Sequence, residues 1–403
     1  MPTIEEKFKA LTTEHAPGQE ARQAVGNIDN LIRGKLISGI PVDFSHGDVD
    51  AFMPTPGSFK AFADAVAIGG KQAYTEYRGS AAIRQDLAQK LSGFTGAPVS
   101  AENGLILTAG TQGALFLAVA ATVASGDRVA IVQPDYFANR KIVQFLGGEV
   151  VPIEIDYMKE EASAGLDLAQ LRTAFASGIK LFLFSNPNNP TGAVYSPTEI
   201  AAIAELAVEF DVMVIVDQLY SRLCYDGVTY TNLRATGVPD DRCVTIMGPS
   251  KTESLSGYRL GVAFGSNAVI ERMEKLQAIV SLRAAGYNQA VLGTWFAEPA
   301  GWLGERIQLH QAIRDELIEV FREGDLKVRM PQAGSYLFPE LPTLDVSLND
   351  FVRLLRVQAD VTVTPGSEFG PHWSSVRLNF SQNHAAAVAA GKRIVEMVRR
   401  YRQ

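Results

Sequence analysis

The chain is poor in the residues that form disulfides, metal sites and membrane spans. Its 403 residues include only two cysteines, Cys224 and Cys243, which form neither a C-x-x-C pair nor a zinc-binding spacing. Two packed thiols in a reducing compartment are the simplest interpretation. The longest apolar run, residues 115–123, is rich in alanine and far too short for a transmembrane helix. These absences exclude a disulfide-rich fold and argue against a membrane protein.

Positive charge is also in deficit. The formal net charge of −7 repels phosphate backbones, so nucleic acid is not an expected partner. The first ten residues are polar and amphipathic and lack the apolar segment of a secretory signal. We therefore expect a cytoplasmic protein that binds neither nucleic acid nor membranes.

Short apolar runs alternate with helical patterns through the middle of the chain. A capping box at Ser196–Glu199 opens one helix, and Asp167 is placed to cap another. The runs are apolar on both faces, which is typical of strands buried between helices, so roughly residues 48–286 should form an α/β domain with a mostly parallel sheet. The runs span residues 104–107, 129–133, 150–155, 180–184, 212–216, 243–247 and 260–264.

The C-terminal part has a different pattern. Helices are predicted over residues 301–322 and 384–401, with shorter strand-like pieces between them. This pattern predicts a smaller α+β domain over residues 287–403, with the N-terminal segment 1–47 packed against it. The strand-like pieces span residues 326–330, 335–338, 361–363 and 375–380.

Polar or glycine-rich motifs follow several of the predicted strands, where ligands bind in open α/β sheets. Thr108-Ala109-Gly110-Thr111-Gln112-Gly113 leads straight into a helix, so it is either a phosphate cradle or an ordinary turn. Residues 185–192 form a loop with two prolines and three asparagines. Asp217 ends a buried run, where a carboxylate is costly unless a cation pairs with it or it caps the next helix. Lys251 follows another run, with Arg259 eight residues later; this pair fits Schiff-base chemistry or an exposed loop.

Taken together, these motifs resemble the class I/II aminotransferases of the fold-type I enzymes that use pyridoxal 5′-phosphate (PLP). The resemblance covers nearly the whole chain and rests on Asn-Pro-Asn-Asn-Pro-Thr-Gly, Asp-x-x-Tyr, and Ser-Lys followed by Arg, in the family's order and spacing. Pieces around Tyr74, Tyr136 and Arg377 also fit the family pattern. The resemblance implies a seven-stranded, mostly parallel sheet and a smaller C-terminal α+β domain.

The resemblance also implies roles around the cofactor ring. Lys251 should hold PLP as a Schiff base and, once freed, move the substrate's Cα proton. Asp217 should keep the pyridine nitrogen protonated, so that the ring accepts electrons. Asn189 and Tyr220 should hydrogen-bond the phenolic oxygen, and Tyr136 should stack on the ring.

A second group of residues is implied for the phosphate. In this family the neighbourhood of Ser250 adds a hydroxyl, but Gly248 stands here where serine is common, so one side-chain donor should be missing. The role of Ser250 itself is left open. The implied residues are Gly110, Thr111, Gln112, Ser250 and Arg259.

Substrate contacts and a homodimer follow from the same resemblance. Arg377 should grip the substrate α-carboxylate, beside Asn189 and the backbone of Gly47. Tyr74 matches a tyrosine that reaches the neighbouring subunit's phosphate, which implies a homodimer with shared active sites. His46 is either structural or a substrate contact.

The side chain of the substrate is harder to predict. Thr111 stands where aspartate-preferring relatives often carry a lysine that binds the distal carboxylate. The presence of threonine argues mildly against a dicarboxylate substrate that is recognised at this position. Arg283, Tyr287 and Asn288 should reach the partner's site and could recognise a polar or acidic side chain.

Transamination between an amino acid and a 2-oxo acid, by a ping-pong mechanism, is the leading prediction. The same scaffold also supports β-elimination, decarboxylation, racemisation or oxidation of amino acids. A PLP-binding regulator would need a DNA-binding domain, and no helix-turn-helix pattern precedes Gly47. A nicotinamide-dependent dehydrogenase is set aside because no G-x-G-x-x-G follows a strand.

Overall fold

The structure, a computed structural model, describes residues 3–11, 18–48, 50–159 and 162–403. Its helices are α1 (Ile4–Lys9), α2 (Ser58–Ile68), α3 (Gly70–Ala73), α4 (Ala81–Thr95), α5 (Gly110–Thr122), α6 (Phe137–Phe145), α7 (Leu168–Ala176), α8 (Pro197–Glu209), α9 (Asn267–Val280), α10 (Trp302–Glu323), α11 (Leu348–Ala359) and α12 (His384–Tyr401). Its strands are β1 (Val42–Asp43), β2 (Leu105–Ala109), β3 (Arg128–Gln133), β4 (Glu149–Glu154), β5 (Leu181–Ser185), β6 (Met213–Asp217), β7 (Cys243–Met247), β8 (Leu260–Phe264), β9 (Tyr336–Leu337), β10 (Val361–Thr362), β11 (Thr364–Pro365) and β12 (Val376–Asn379).

The predicted seven-stranded sheet is confirmed. Its strand order is β2-β8-β7-β6-β5-β3-β4, and all neighbours pair in parallel except β8, which is antiparallel to both β2 and β7. Strands β5, β7 and β8 are buried along their whole length, because helices cover both faces of the sheet.

The capping residues recognised in the sequence predicted where two of the helices begin. The Ser196 hydroxyl accepts a hydrogen bond from the Glu199 backbone N–H, and the Glu199 carboxylate accepts one from the backbone of Ser196, which confirms the capping box. Asp167 caps α7 as predicted. Helix α5 begins at Gly110, so Gly110 and Thr111 belong to its first turn.

The C-terminal part has its own core, in which α10, α11 and α12 surround β9, β11 and β12. The N-terminal segment adds Ile28, Val42 and Phe44 to this core, and β1 pairs in parallel with β10. The predicted domain boundaries near residues 48 and 287 stay a prediction. The predicted strand 326–330 was wrong: within it only Lys327 forms a bridge, with Glu340, because the chain there turns away from α10 without a partner strand.

The directions of the strands locate the ligand edge of the sheet. Strands β2, β3, β5, β6 and β7 all run the same way, so the segments that follow them meet at one edge. None of the described helices is long and apolar enough to span a membrane.

Candidate active site

A cavity of about 140 Å³ opens at the carboxyl edge of the sheet. It collects side chains from six separate segments of the chain, and nine of the residues predicted from the sequence are among them. It is lined by Thr111, Gln112, Leu115, Tyr136, Ser185, Pro187, Asn189, Asp217, Leu219, Tyr220, Ser250, Lys251, Ser256, Arg259 and Tyr336.

A second cavity, of about 260 Å³, lies on the other side of Lys251. The two cavities share Ser250, Lys251 and Ser256, so Lys251 lines both of them. The second cavity is lined by His46, Gly47, Asp48, Leu223, Ser250, Lys251, Ser254, Ser256, His310, Ser335, Asn379 and Ser381.

Lys251 carries an amine that is free to react. Within the described residues, its Nζ takes part in no hydrogen bond and no ion pair. The side chain is only partly exposed, so the amine is accessible from the cavities while the strand end behind it is buried. An amine that lines a cavity and makes no hydrogen bond or ion pair can form a covalent bond to a carbonyl ligand.

Asp217 is the anion of the first cavity. Its carboxylate ends β6, is 9% exposed and accepts a hydrogen bond of 3.0 Å from the backbone N–H of Leu219. Burial raises the pKa of Asp217 to about 6, against the opposing effects of this hydrogen bond and of the positive charge of Lys251. No described cation lies within ion-pair distance, so a cationic ligand atom would relieve the cost of burying this charge.

The start of α5 and Arg259 form a cradle for an anion. Gly110 has a left-handed φ of +76°, and a Cβ atom there would lie 2.5 Å from Nη2 of Arg259. The guanidinium therefore lies directly against the first turn of the helix, where backbone N–H groups also face outward. A helix N-terminus beside a guanidinium binds phosphate well.

The unusual Gly248 has a steric reason in the same cradle. A Cβ atom at Gly248 would lie 2.7 Å from Cγ2 of Thr111. A residue larger than glycine at position 248 would therefore clash with the Thr111 side chain in its present position.

Arg377 is the buried cation of the site. It is 4% exposed and donates hydrogen bonds to Oδ1 of Asn189 (3.2 Å) and to the backbone oxygen of Ser45 (3.0 Å). The guanidinium carbon lies 4.6 Å from the ring centre of Tyr336 and 4.8 Å from that of Phe369. Its Nε is buried without a hydrogen-bond partner, and no described carboxylate pairs with it. Such a cation is suited to a carboxylate ligand.

The remaining predicted residues fill the walls of the first cavity. The Tyr136 hydroxyl donates to Oε1 of Gln112 at 3.0 Å. Because Oδ1 of Asn189 already accepts from Arg377, the amide N–H₂ of Asn189 is the group left for a ligand. Ser250 is buried, and its hydroxyl has only a long contact, 3.5 Å, to the backbone oxygen of Leu260.

Four predicted residues are not among those that line the first cavity: Gly110, Arg377, Gly47 and Tyr74. Gly47 lines the second cavity, beside His46, which makes a 3.3 Å ion pair with Asp43. Tyr74 lines neither cavity and is 82% exposed. The Arg283 guanidinium stacks 5.4 Å from the ring of Tyr74, so these two side chains share one surface.

Sequence reasoning missed three residues of this site. Tyr336 and Ser256 line the first cavity, and His310 lines the second. Burial lowers the pKa of His310 to about 4, so its imidazole is neutral at pH 7, and its Nε2 lies 3.0 Å from the Ser381 hydroxyl. Ser256 lies within the segment from Lys251 to Arg259, whereas Tyr336 and His310 belong to no recognised motif.

Comparisons with known proteins give one family. The profile "Aminotransferase class I and II" matches residues 40–390. A solved structure described as an aspartate aminotransferase from Rhodobacter sphaeroides 2.4.1 is 63% identical, with a TM-score of 0.95 and complete coverage of both chains. An aspartate aminotransferase of Sulfurisphaera tokodaii is 28% identical over 89% of this chain and 90% of its own. The Thermus thermophilus aspartate aminotransferase, solved with maleate, is 25% identical, with a TM-score of 0.84 over 98% of this chain and 100% of its own.

Proposed function

The chain belongs to the class I and II aminotransferases, and from this premise we propose that it binds PLP through Lys251 to move amino groups from an acidic amino acid to a 2-oxo acid. Aminotransferase activity itself follows from the family. The observation that carries the proposal is the charge arrangement. A free lysine amine lines the same cavity as a buried carboxylate, Asp217. The buried Arg377 donates to Asn189 in the wall of that cavity, and no carboxylate of the described residues pairs with it.

The residues present fit the cofactor. PLP supplies an electron sink for the carbanion that forms when the substrate loses its Cα proton. Asp217 would take the pyridine nitrogen, Tyr220 and the Asn189 amide the phenolic oxygen, and Tyr136 the ring face. The phosphate would lie at the cradle of Arg259 and the start of α5, with Thr111, Gln112 and Ser250 nearby.

The protein groups then divide the work on the substrate. Arg377 would hold the α-carboxylate in a two-bond fork, with the Gly47 backbone beside it, and so fix the orientation of Cα. The Lys251 amine would act as the base that takes the proton from the substrate Cα and delivers it to the cofactor carbon.

We propose a dicarboxylic amino donor because of two relatives. The 63% identical structure is described as an aspartate aminotransferase, and the Thermus enzyme was solved with maleate, a dicarboxylate. Thr111 argues against reading the distal carboxylate at the start of α5, so the proposal assigns that carboxylate to Arg283 of a second subunit.

A homodimer with shared sites is part of this proposal. Several large apolar side chains are strongly exposed: Phe59 is 74% exposed, Ile279 81%, and Leu282, which precedes Arg283, 56%. Burying such a surface against a second copy would be favourable. It would also carry Tyr74 and Arg283, which touch each other, toward the partner's cavity together. We further expect a cytoplasmic location, where the two free cysteines would stay reduced.

A panel of amino donors tests the proposed substrate class. The PLP-loaded protein is incubated with aspartate, glutamate, phenylalanine or alanine and a matching 2-oxo acid, and both products are quantified. We expect stoichiometric amino transfer, with kcat/KM highest for aspartate or glutamate. Preference for a neutral donor would overturn the substrate class, and oxo-acid release without amino transfer would overturn transamination.

A further inference from the structure

Tyr336 is a buried tyrosine in the wall of the first cavity that no sequence motif singled out. It lies on β9, which pairs antiparallel with β12 so that Tyr336 is opposite Asn379 and Leu337 is opposite Leu378. This register puts Tyr336 beside the strand that carries Arg377. The side chain is 4% exposed, so two paired strands and the core fix its position.

The side chain touches both halves of the site. Its hydroxyl lies 2.5 Å from the hydroxyl of Tyr220, and the two rings meet edge to face at 5.2 Å. The other contact is with Arg377, whose guanidinium carbon lies 4.6 Å from the centre of the Tyr336 ring. Tyr336 thus connects the residue proposed for the cofactor's phenolic oxygen with the residue proposed for the substrate α-carboxylate.

Counting protons gives the direction that the hydrogen bond between the two tyrosines would take with the cofactor bound. Each phenol has one O–H to donate. If Tyr220 donates its proton to a ligand oxygen, its own oxygen must accept the proton of Tyr336. The reverse direction would leave Tyr220 with nothing to donate to the cofactor.

The surrounding charges make the Tyr336 hydroxyl the more acidic of the two. Burial raises the pKa of the Tyr336 hydroxyl, but the positive charges of Lys251 and Arg377 outweigh it and bring that pKa below its ordinary value. Burial and the neighbouring Tyr336 raise the pKa of Tyr220 well above its ordinary value. In the structure the Tyr220 hydroxyl donates to that of Tyr336. A Tyr220 that donates to the cofactor requires the opposite direction, which the more acidic Tyr336 hydroxyl, as the better donor, would favour.

We propose that Tyr336 is a positioning residue: its hydroxyl keeps the Tyr220 proton directed at the cofactor, and its ring holds the Arg377 guanidinium ready for the substrate α-carboxylate. This inference rests on the proposed function. It assigns separate tasks to the hydroxyl and to the ring, so two substitutions can separate them.

The experiment compares Tyr336→Phe, Tyr336→Leu and Tyr401→Phe with the PLP-loaded wild type. Tyr401 is a matched control, because it is a fully buried tyrosine whose hydroxyl donates to Gln358 in the C-terminal core. Two quantities are measured: the pH midpoint of the absorbance change of the lysine-bound cofactor, and the KM for the amino donor.

We expect Tyr336→Phe to raise the pH midpoint by about half a pH unit and to leave KM within about twofold. A weaker hydrogen bond from Tyr220 leaves more negative charge on the phenolic oxygen, and this charge holds the proton of the nearby lysine-bound nitrogen. Tyr336→Leu should shift the midpoint equally and also raise KM roughly five- to tenfold, because the aromatic face under Arg377 is lost. Tyr401→Phe should change neither quantity.

An unchanged midpoint in Tyr336→Phe would overturn the role of the hydroxyl. Equal KM values for the Phe and Leu variants would overturn the role of the ring. In both cases a wild type that binds PLP and transaminates leaves the proposed function standing. A wild type that takes up no PLP removes the proposed function and this inference together.

Discussion

Nη2 of Arg259 lies 2.5 Å from the position that a Cβ atom would occupy at Gly110. Only glycine permits this contact, because Gly110 also has a left-handed φ of +76°. The guanidinium and the first turn of α5 consequently converge on one place, which is where an anion such as a phosphate group would be held.

Gly110→Ala should displace Arg259 and weaken PLP binding to the cofactor-free protein by about tenfold or more, as expected for the loss of a charge-assisted hydrogen bond. Titration of the apoprotein with PLP, followed by absorbance, measures this. Gly126→Ala is the control: its φ is +87° but no atom lies within 4 Å of the added Cβ. Equal losses in both variants would mean that backbone strain, not Arg259, causes the effect.

Arg377→Lys should raise the KM for amino donors by roughly 10- to 100-fold, because an ammonium group cannot form the two-bond fork to a carboxylate. The spectrum of bound PLP should not change. Steady-state kinetics measures the effect. Arg393→Lys, at another buried arginine, which donates to the backbone oxygens of Ala359 and Ile40, should leave KM as in the wild type. A normal KM in Arg377→Lys would remove Arg377 from substrate binding.

Asp217 should make the stability of the cofactor-free protein depend on pH. Its pKa is raised to about 6 in the folded state from an ordinary 3.8, so the stability it contributes is complete below pH 4 and is lost as pH rises through 6. Relative to Asp217→Asn, the wild type should therefore lose on the order of 2 kcal/mol of unfolding free energy between pH 4 and pH 7. Urea unfolding of both proteins across this range measures the difference. If the unfolding free energies of the two proteins change in parallel with pH, the pKa of Asp217 is not raised by burial. Bound PLP should reduce the difference between the two proteins, because its pyridine nitrogen would pair with Asp217.

The sequence was sufficient to predict the sheet and most of its polar edge. Buried strands are apolar on both faces, and motifs such as that around Lys251 directly follow them, so element type and site position are both local signals. The direction of β8 is not a local signal, because a buried antiparallel strand has the same apolar pattern as a parallel one. Its reversal is visible only in its pairing with β2 and β7.

Tyr336 shows why the rest of the site could not be predicted. Its strand was predicted within residues 335–338, but the place of Tyr336 in the site depends on pairing with β12, about forty residues later in the chain. His310 is similar, since it enters the second cavity from the middle of α10. Contacts between distant segments arise from packing and leave no trace in local spacing.

Mixing two variants that are each inactive toward acidic donors tests whether the active site is shared between subunits. A hybrid dimer of Lys251→Ala and Arg283→Ala subunits would contain one complete site, with Lys251 from one chain and Arg283 from the other. We expect roughly a quarter of the wild-type activity toward acidic donors after subunit exchange at equal amounts. The control is Arg272→Ala, a substitution at an exposed arginine of α9. This variant should be fully active without any mixing, which would show that loss of an arginine at the surface is not enough to abolish activity. Absence of recovery in a mixture that does form hybrid dimers would place Arg283 outside the partner's site.

The attachment of PLP to Lys251 is the claim on which the proposed function depends most directly. The protein is incubated with PLP, treated with borohydride, digested and analysed by mass spectrometry, with Lys251→Ala and Lys275→Ala in parallel; Lys275 is an exposed lysine of α9 that pairs with Glu271. We predict one pyridoxyl group on the peptide that contains Lys251, retained in Lys275→Ala and lost in Lys251→Ala. A colourless protein without an adduct, or an adduct on another lysine that persists in Lys251→Ala, would contradict the account.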